Sequence, residues 1–178
     1  MSAIVLDASV ALSIIRGERA ASVVGEALRG WLRNGDRLVV PAHFWLEIVN
    51  ALSARHGAKS ASIVEAIHLL DTFDLETMDL DRPHLLLVVD VMERHGLSGY
   101  DAMYLVLAES LGARLATLDR RLAARAGDRA IRFDRAHEIH ETRAAYAAEP
   151  TWPDYSGAAA FLSKLRADAR KDLEALGR

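Results

Sequence analysis

The chain has 178 residues, 51% of them hydrophobic and 26% charged, with a formal net charge of −3, which excludes a disordered chain and fits one globular domain with a real core. It contains no cysteine, which excludes disulfides, thiolate zinc sites and thiol catalysis. No apolar run reaches the ~20 residues that span a bilayer and no basic-then-apolar leader opens the sequence, so a cytoplasmic protein with no membrane contact is expected.

Residues 3–6 form an apolar run that ends at Asp7 and predicts a buried strand. Residues 8–16 and 20–33 predict helix, interrupted around Gly17 and ended by Asn34 and Gly35. Leu38, Val39 and Val40 predict a second strand, and Pro41 fits the first turn of a helix running to about His56, with Gly57 as its stop. A helix over 60–73 repeats Ile63, Ile67, Leu70 and Phe73 at helical spacing, residues 75–80 form a weak strand, and Pro83 opens a helix that stops near Gly96. Ser98 suits the N-cap of a helix over 101–111 closed by Gly112. Residues 115–118 predict a strand meeting Asp119, a short helix follows, and 130–133 is the last strand. This alternation predicts an α/β fold, with a mostly parallel sheet and helices on its faces. Beyond it, residues 137–148 predict helix, 149–157 (EPTWPDYSG) a linker, and 158–176 an amphipathic helix with Phe161, Leu162, Leu165, Ala169, Leu173 and Leu176 on its apolar face.

Four carboxylates lie where these elements begin or end, or on an apolar helix: Asp7, Glu47, Asp101 and Asp119. Asp7 and Asp119 each follow a predicted strand, where ligands bind in open parallel sheets, although an aspartate there also serves as a helix N-cap. Glu47 is flanked by Phe44, Trp45, Ile48 and Val49, with His43 and Asn50 about one turn to either side. Asp101 opens a helix, which favours a carboxylate in its own right, but Tyr104, Leu105 and Ala108 share its face and turn that face inward. Gathered acids repel unless a divalent cation neutralises them. An all-oxygen set suits Mg2+ or Mn2+ and, with it, phosphodiester chemistry. Seven of the chain's nineteen arginines fall in 114–135, either a phosphate-binding flank beside the acids or the compositional bias of an arginine-rich chain.

The segments VLDASV, PAHFWLE at 41–47, LSGYDAMYLVLAE and LATLDRRLA resemble the PIN-domain ribonucleases, and within them the VapC toxins of bacterial toxin–antitoxin pairs, over roughly residues 3–135. The resemblance implies a PIN-like three-layer fold, with residues 1–135 as the nuclease domain and 136–178 as a helical C-terminal extension. It further implies Mg2+- or Mn2+-dependent hydrolysis of RNA, a cognate VapB-like antitoxin and a homodimer. Carried over by position, the catalytic and metal-binding acids are Asp7, Glu47, Asp101 and Asp119, supported by the hydroxyls of Ser9 and Thr117. The alternative is a PIN-like module that binds RNA or protein without cutting, regulated by its own C-terminal helix. Either that helix only packs against the domain, or a basic residue in it such as Arg166 or Arg170 approaches the acids as an antitoxin does.

Other signals are weaker. HEIHE at 137–141 spaces its histidines three apart and is not the HExxH zinc motif. DASVA has Ser9 where an aspartyl phosphotransferase would need a second aspartate. Trp31, Trp45 and Trp152 are expected as core or interface anchors.

Overall fold

The apolar runs near residues 5, 39 and 115 pair side by side because each is hydrophobic on both faces, the pattern of strands buried in a parallel sheet. The structure, a computed structural model, describes residues 2–18, 20–55 and 57–133. The helix expected over 137–148, the linker at 149–157, the amphipathic segment at 158–176 and the boundary at 135 lie outside the described residues.

Five strands, β1 (Ala3–Leu6), β2 (Arg37–Pro41), β3 (Glu76–Met78), β4 (Arg114–Ala116) and β5 (Ala130–Ile131), form one sheet in the order β3-β2-β1-β4-β5. Every pairing is parallel, and Val5 stands opposite both Val39 and Leu115. These three side chains have no exposed surface.

Helices cover both faces in a three-layer α/β architecture. They are α1 (Ala8–Ile15), α2 (Ala21–Asn34), α3 (His43–Asn50), α4 (Ser60–Asp71), α5 (Arg82–His95), α6 (Gly99–Ser110) and α7 (Arg120–Ala126), with a π-helical turn (Ala51–Arg55) continuing α3. The central helix is α6, which packs against β1, β2 and β4 and buries Tyr104 through Ala108. No described helix is long and apolar enough to cross a membrane.

The local signals account for most helix ends. Asp81 caps α5 by accepting from the His84 amide, with Pro83 in the first turn where its missing N–H costs nothing. Gly96 ends the helix at φ 62°, a left-handed conformation that glycine alone adopts without strain. Several boundaries differ from expectation: β5 ends at Ile131 and not at 133, and α6 opens at Gly99, directly after its Ser98 cap. Pro41 is the last residue of β2, opposite Met78, and α3 starts at His43; a proline is tolerated at a strand end as well as in a helix's first turn. The fourth strand stops at Ala116 because the Leu118 amide bonds to the Ser9 hydroxyl instead of continuing the ladder. Trp45 donates to Thr77 Oγ1 at 3.0 Å and Trp31 meets Phe133 edge-on, so both indoles tie elements together.

Candidate active site

Asp7 directly follows β1, and Thr117 directly follows β4, the strand beside it. The chain lays β1, β2 and β3 outward in one direction and then places β4 and β5 on the other side of β1. Such a reversal leaves a crevice beyond the carboxyl ends of the strands, the usual ligand position in open parallel sheets. The Asp7 amide donates to Ala116 O at 3.0 Å, so the pairing of β1 with β4 reaches the acid itself.

Asp7 is buried, 7% exposed. It occupies the N-cap of α1, yet its side chain makes no capping bond. Its Oδ2 instead accepts from Ser9 Oγ at 2.5 Å and from Thr117 Oγ1 at 2.6 Å. Both hydroxyls are themselves anchored: Ser9 Oγ accepts from the Leu118 amide at 3.0 Å and Thr117 Oγ1 from the Asp119 amide at 2.9 Å. Two of these four hydrogen bonds, Thr117 to Asp7 and Leu118 to Ser9, clamp the turn after β1 to the turn after β4. Burial pushes the Asp7 carboxyl above its ordinary range; the Ser9 and Thr117 bonds pull it down, and the charges of Asp119 and Asp101 push it further up.

The other three acids have different circumstances. Asp119 is exposed and caps α7, Oδ1 accepting from the Leu122 amide at 2.8 Å. Asp101, partly buried in the first turn of α6, exchanges bonds with Ser98, whose hydroxyl donates to Oδ2 at 2.8 Å and accepts from the Asp101 amide at 3.1 Å. Glu47, partly buried on α3, accepts from the Tyr104 hydroxyl through Oε2. Burial first, then the charges of Asp7 and Glu47, push the Tyr104 phenol far above its usual range, so it stays protonated and donates. Of the four acids only Asp7 is buried; Glu47 and Asp101 are partly buried and Asp119 is exposed.

His43 stands 3.7 Å from Glu47 Oε2. Burial pulls its imidazole below the ordinary range, opposed by the Tyr100 backbone and the Asp101 charge. Neither ring nitrogen completes a hydrogen bond, and the contact with Glu47 is no ion pair while the ring is neutral. The ring is instead packed against Tyr100 and Tyr104, at centroid distances of 5.6 Å and 4.9 Å. Sequence reading passed over the Tyr104 hydroxyl, although a signal existed: a tyrosine on the buried face of an acid's own helix must find its hydroxyl a partner.

Asp7, Ser9 and Thr117 are therefore in direct contact, Asp119 is joined to them through Thr117, and Asp101 and Glu47 act on the same cluster through charge and through Tyr104. Among the described residues, no three acidic or histidine side chains stand close enough to enclose an ion. The arginine-rich stretch divides between the two ends of the sheet. Arg120 and Arg121 follow Asp119 at the crevice end, whereas Arg114 opens β4 at the opposite end, and Arg129 donates to the neighbouring Ala113 carbonyl.

No curated protein sequence matches the chain. Among solved structures, it is similar to PAE2754 from Pyrobaculum aerophilum, with 27% identity over 70% of this chain and 79% of that one and a TM-score of 0.53. A toxin–antitoxin complex from Klebsiella pneumoniae shares the fold, with 17% identity over 73% of this chain and 97% of that one and a TM-score of 0.56. The family model of the PIN domain, a domain that is generally a nuclease using divalent metals, matches residues 4–128. With that match over most of its length, the chain belongs to the PIN domain family.

Proposed function

We propose that the protein is a divalent-metal-dependent endoribonuclease, with Mg2+ or Mn2+ as its ion, and the toxin of a toxin–antitoxin pair. The observation that carries this reading is the buried Asp7 carboxylate at the strand-order reversal, fixed by two hydroxyls and facing the charges of Asp101 and Asp119. A buried acid is rarely kept ionised unless it is paired with a cation or coordinates a metal. The donor set is all oxygen, which suits a hard ion. Among the described residues no three acidic or histidine side chains enclose an ion, so an ion here would rest on one or two carboxylates, water and substrate phosphate.

In this reading Asp7 and Asp101 hold the ion, with Glu47 and Asp119 contributing directly or through water. A bound divalent cation supplies Lewis-acid charge to the phosphate oxygens and lowers the pKa of a coordinated water. The chain's own residues position that chemistry: Ser9 and Thr117 orient Asp7, Ser98 orients Asp101, and Tyr104 orients Glu47 while remaining protonated. The toxin assignment draws on the shared fold of the Klebsiella pneumoniae toxin–antitoxin complex. A VapB-like antitoxin and a second copy of the chain are the protein partners of this reading. They have an apolar surface available, since Leu85, Leu86, Leu87, Val89 and Met92 of α5 are exposed. The nuclease domain is assigned to residues 1–135, with 136–178 as a separate extension.

Purified protein is to be assayed on an RNA panel with Mg2+, with Mn2+ and with EDTA, alongside Asp7→Asn and Asp101→Asn. Cleavage that needs the ion and disappears in both folded variants is expected. Cleavage that survives EDTA would sink the metal mechanism, and RNA binding without cleavage under either ion would select the non-cleaving module instead.

A further inference from the structure

We propose that Tyr100 is a stacking platform on which an unpaired RNA base rests beside the acidic cluster, a substrate-positioning residue that deepens the ribonuclease reading and rests on it. Tyr100 is 56% exposed in the first turn of α6, immediately before Asp101. An exposed tyrosine alone would mean nothing; its backing is what distinguishes this one. The Tyr100 ring lies 5.6 Å from the His43 ring at 45°, and His43 in turn meets Tyr104 at 4.9 Å and 64°. Tyr104, one helical turn beyond Tyr100, is buried and donates to Glu47. Three rings therefore form a rank from solvent to a carboxylate of the cluster.

His43 gives this rank its rigidity. Its side chain is only 10% exposed, and both ring nitrogens lack a hydrogen bond. The imidazole is thus held chiefly by packing against the two tyrosine rings, with Glu47 Oε2 3.7 Å away. A ring fixed from behind loses little entropy when a base lands on its open side, the condition under which an aromatic platform works well.

The occupant follows from position and chemistry. Unpaired RNA bases splay out and stack on aromatic side chains, and every base offers a π-face. A base on Tyr100 would leave its phosphodiester beside Asp101, whereas bases inside a duplex are already stacked and have no free face to offer.

The test uses the full-length Asp7→Asn chain with Mg2+ and a short fluorescent single-stranded RNA carrying 2-aminopurine, against the same sequence as a duplex. Tyr100→Ala is expected to weaken single-strand binding about tenfold, a typical loss for one stacked base, and to abolish the quenching of 2-aminopurine. Tyr100→Phe and Tyr100→Trp are expected to retain both, and duplex binding is expected not to change. Tyr100→Leu, apolar but without a π-face, separates stacking from general apolar contact and is expected to behave like the alanine variant. Undiminished binding and quenching in Tyr100→Ala or Tyr100→Leu, in chains whose thermal unfolding matches the parent, would overturn the platform. Ribonuclease activity in the wild-type chain would then leave the broader reading standing. No binding of either RNA by the parent, together with no ribonuclease activity in the wild-type chain, would overturn both.

Discussion

Asp7 carries a cost that the fold does not recover in the absence of a cation. It is 7% exposed, burial pushes its carboxyl above the ordinary range, and two further acids add to the shift. Below the unfolded-state value of 3.8 the group is protonated in both states and costs nothing. As pH rises past that value the unfolded chain releases its proton first, stability falls, and the penalty is complete above the raised folded-state value. Asp7→Asn removes the charge while keeping an oxygen for Ser9 and Thr117 to bond. At neutral pH in EDTA this variant is expected to be more stable than wild type, read as a higher Tm. The gain is expected to shrink as pH falls towards 3.8. Thermal melts across the acid range measure it, and a variant that melts below wild type at neutral pH would remove desolvation as the dominant effect. The position of Asp7 was legible, because an acid straight after an apolar run marks a strand end. Its contact with Thr117, 110 residues along the chain, was not, since it exists only through the pairing of β1 with β4.

At the scale of elements, α6 couples stability to the candidate site through one side chain. Ser98 caps the helix by accepting from the Asp101 amide, and the same hydroxyl donates to the Asp101 carboxylate. Ser98→Ala removes both bonds. The expected stability loss is about 1 kcal/mol, the usual cost of a lost N-cap, together with a fall in RNA cleavage beyond what the altered stability explains, because Asp101 is left free to rotate. Ser98→Thr restores the hydroxyl and is expected to recover both quantities. Thermal unfolding and cleavage rates at a temperature where both variants are folded separate the effects; a destabilised Ser98→Ala chain with wild-type cleavage would detach Asp101 from the reaction. Ser98 was readable as a cap because the signal is local. The placement of Pro41 was not: a proline before a helical pattern fits a helix's first turn, and only the pairing of β2 with β3, which brings Pro41 opposite Met78, shows it to be the end of a strand. Hydrophobic periodicity carried the alternation of strands and helices, but sheet order depends on which strands meet, and that information is spread over the whole chain.

The polarity of the sheet distinguishes the two ends of the molecule, and through it arginines that look equivalent in sequence. All five strands run in one direction, so the residues that follow them gather at one end and those that precede them at the other. Arg120 follows Asp119 on the crevice side, while Arg114, six positions earlier, opens β4 on the far side. Both are exposed. If RNA crosses the carboxyl end of the sheet, Arg120 neutralises a phosphate there and Arg114 neutralises none. Counterion release makes this measurable, since each phosphate contact with a single strand contributes roughly 0.7 to the slope of log affinity against log salt. Arg120→Gln is therefore expected to weaken single-strand binding and to reduce that slope by roughly 0.7, whereas Arg114→Gln leaves both at the wild-type value. Equal effects at the two positions would mean that net charge, not location, attracts the RNA. A larger effect at Arg114 would move the nucleic-acid path to the opposite end of the sheet, away from Asp7 and from the tyrosine rank beside Asp101.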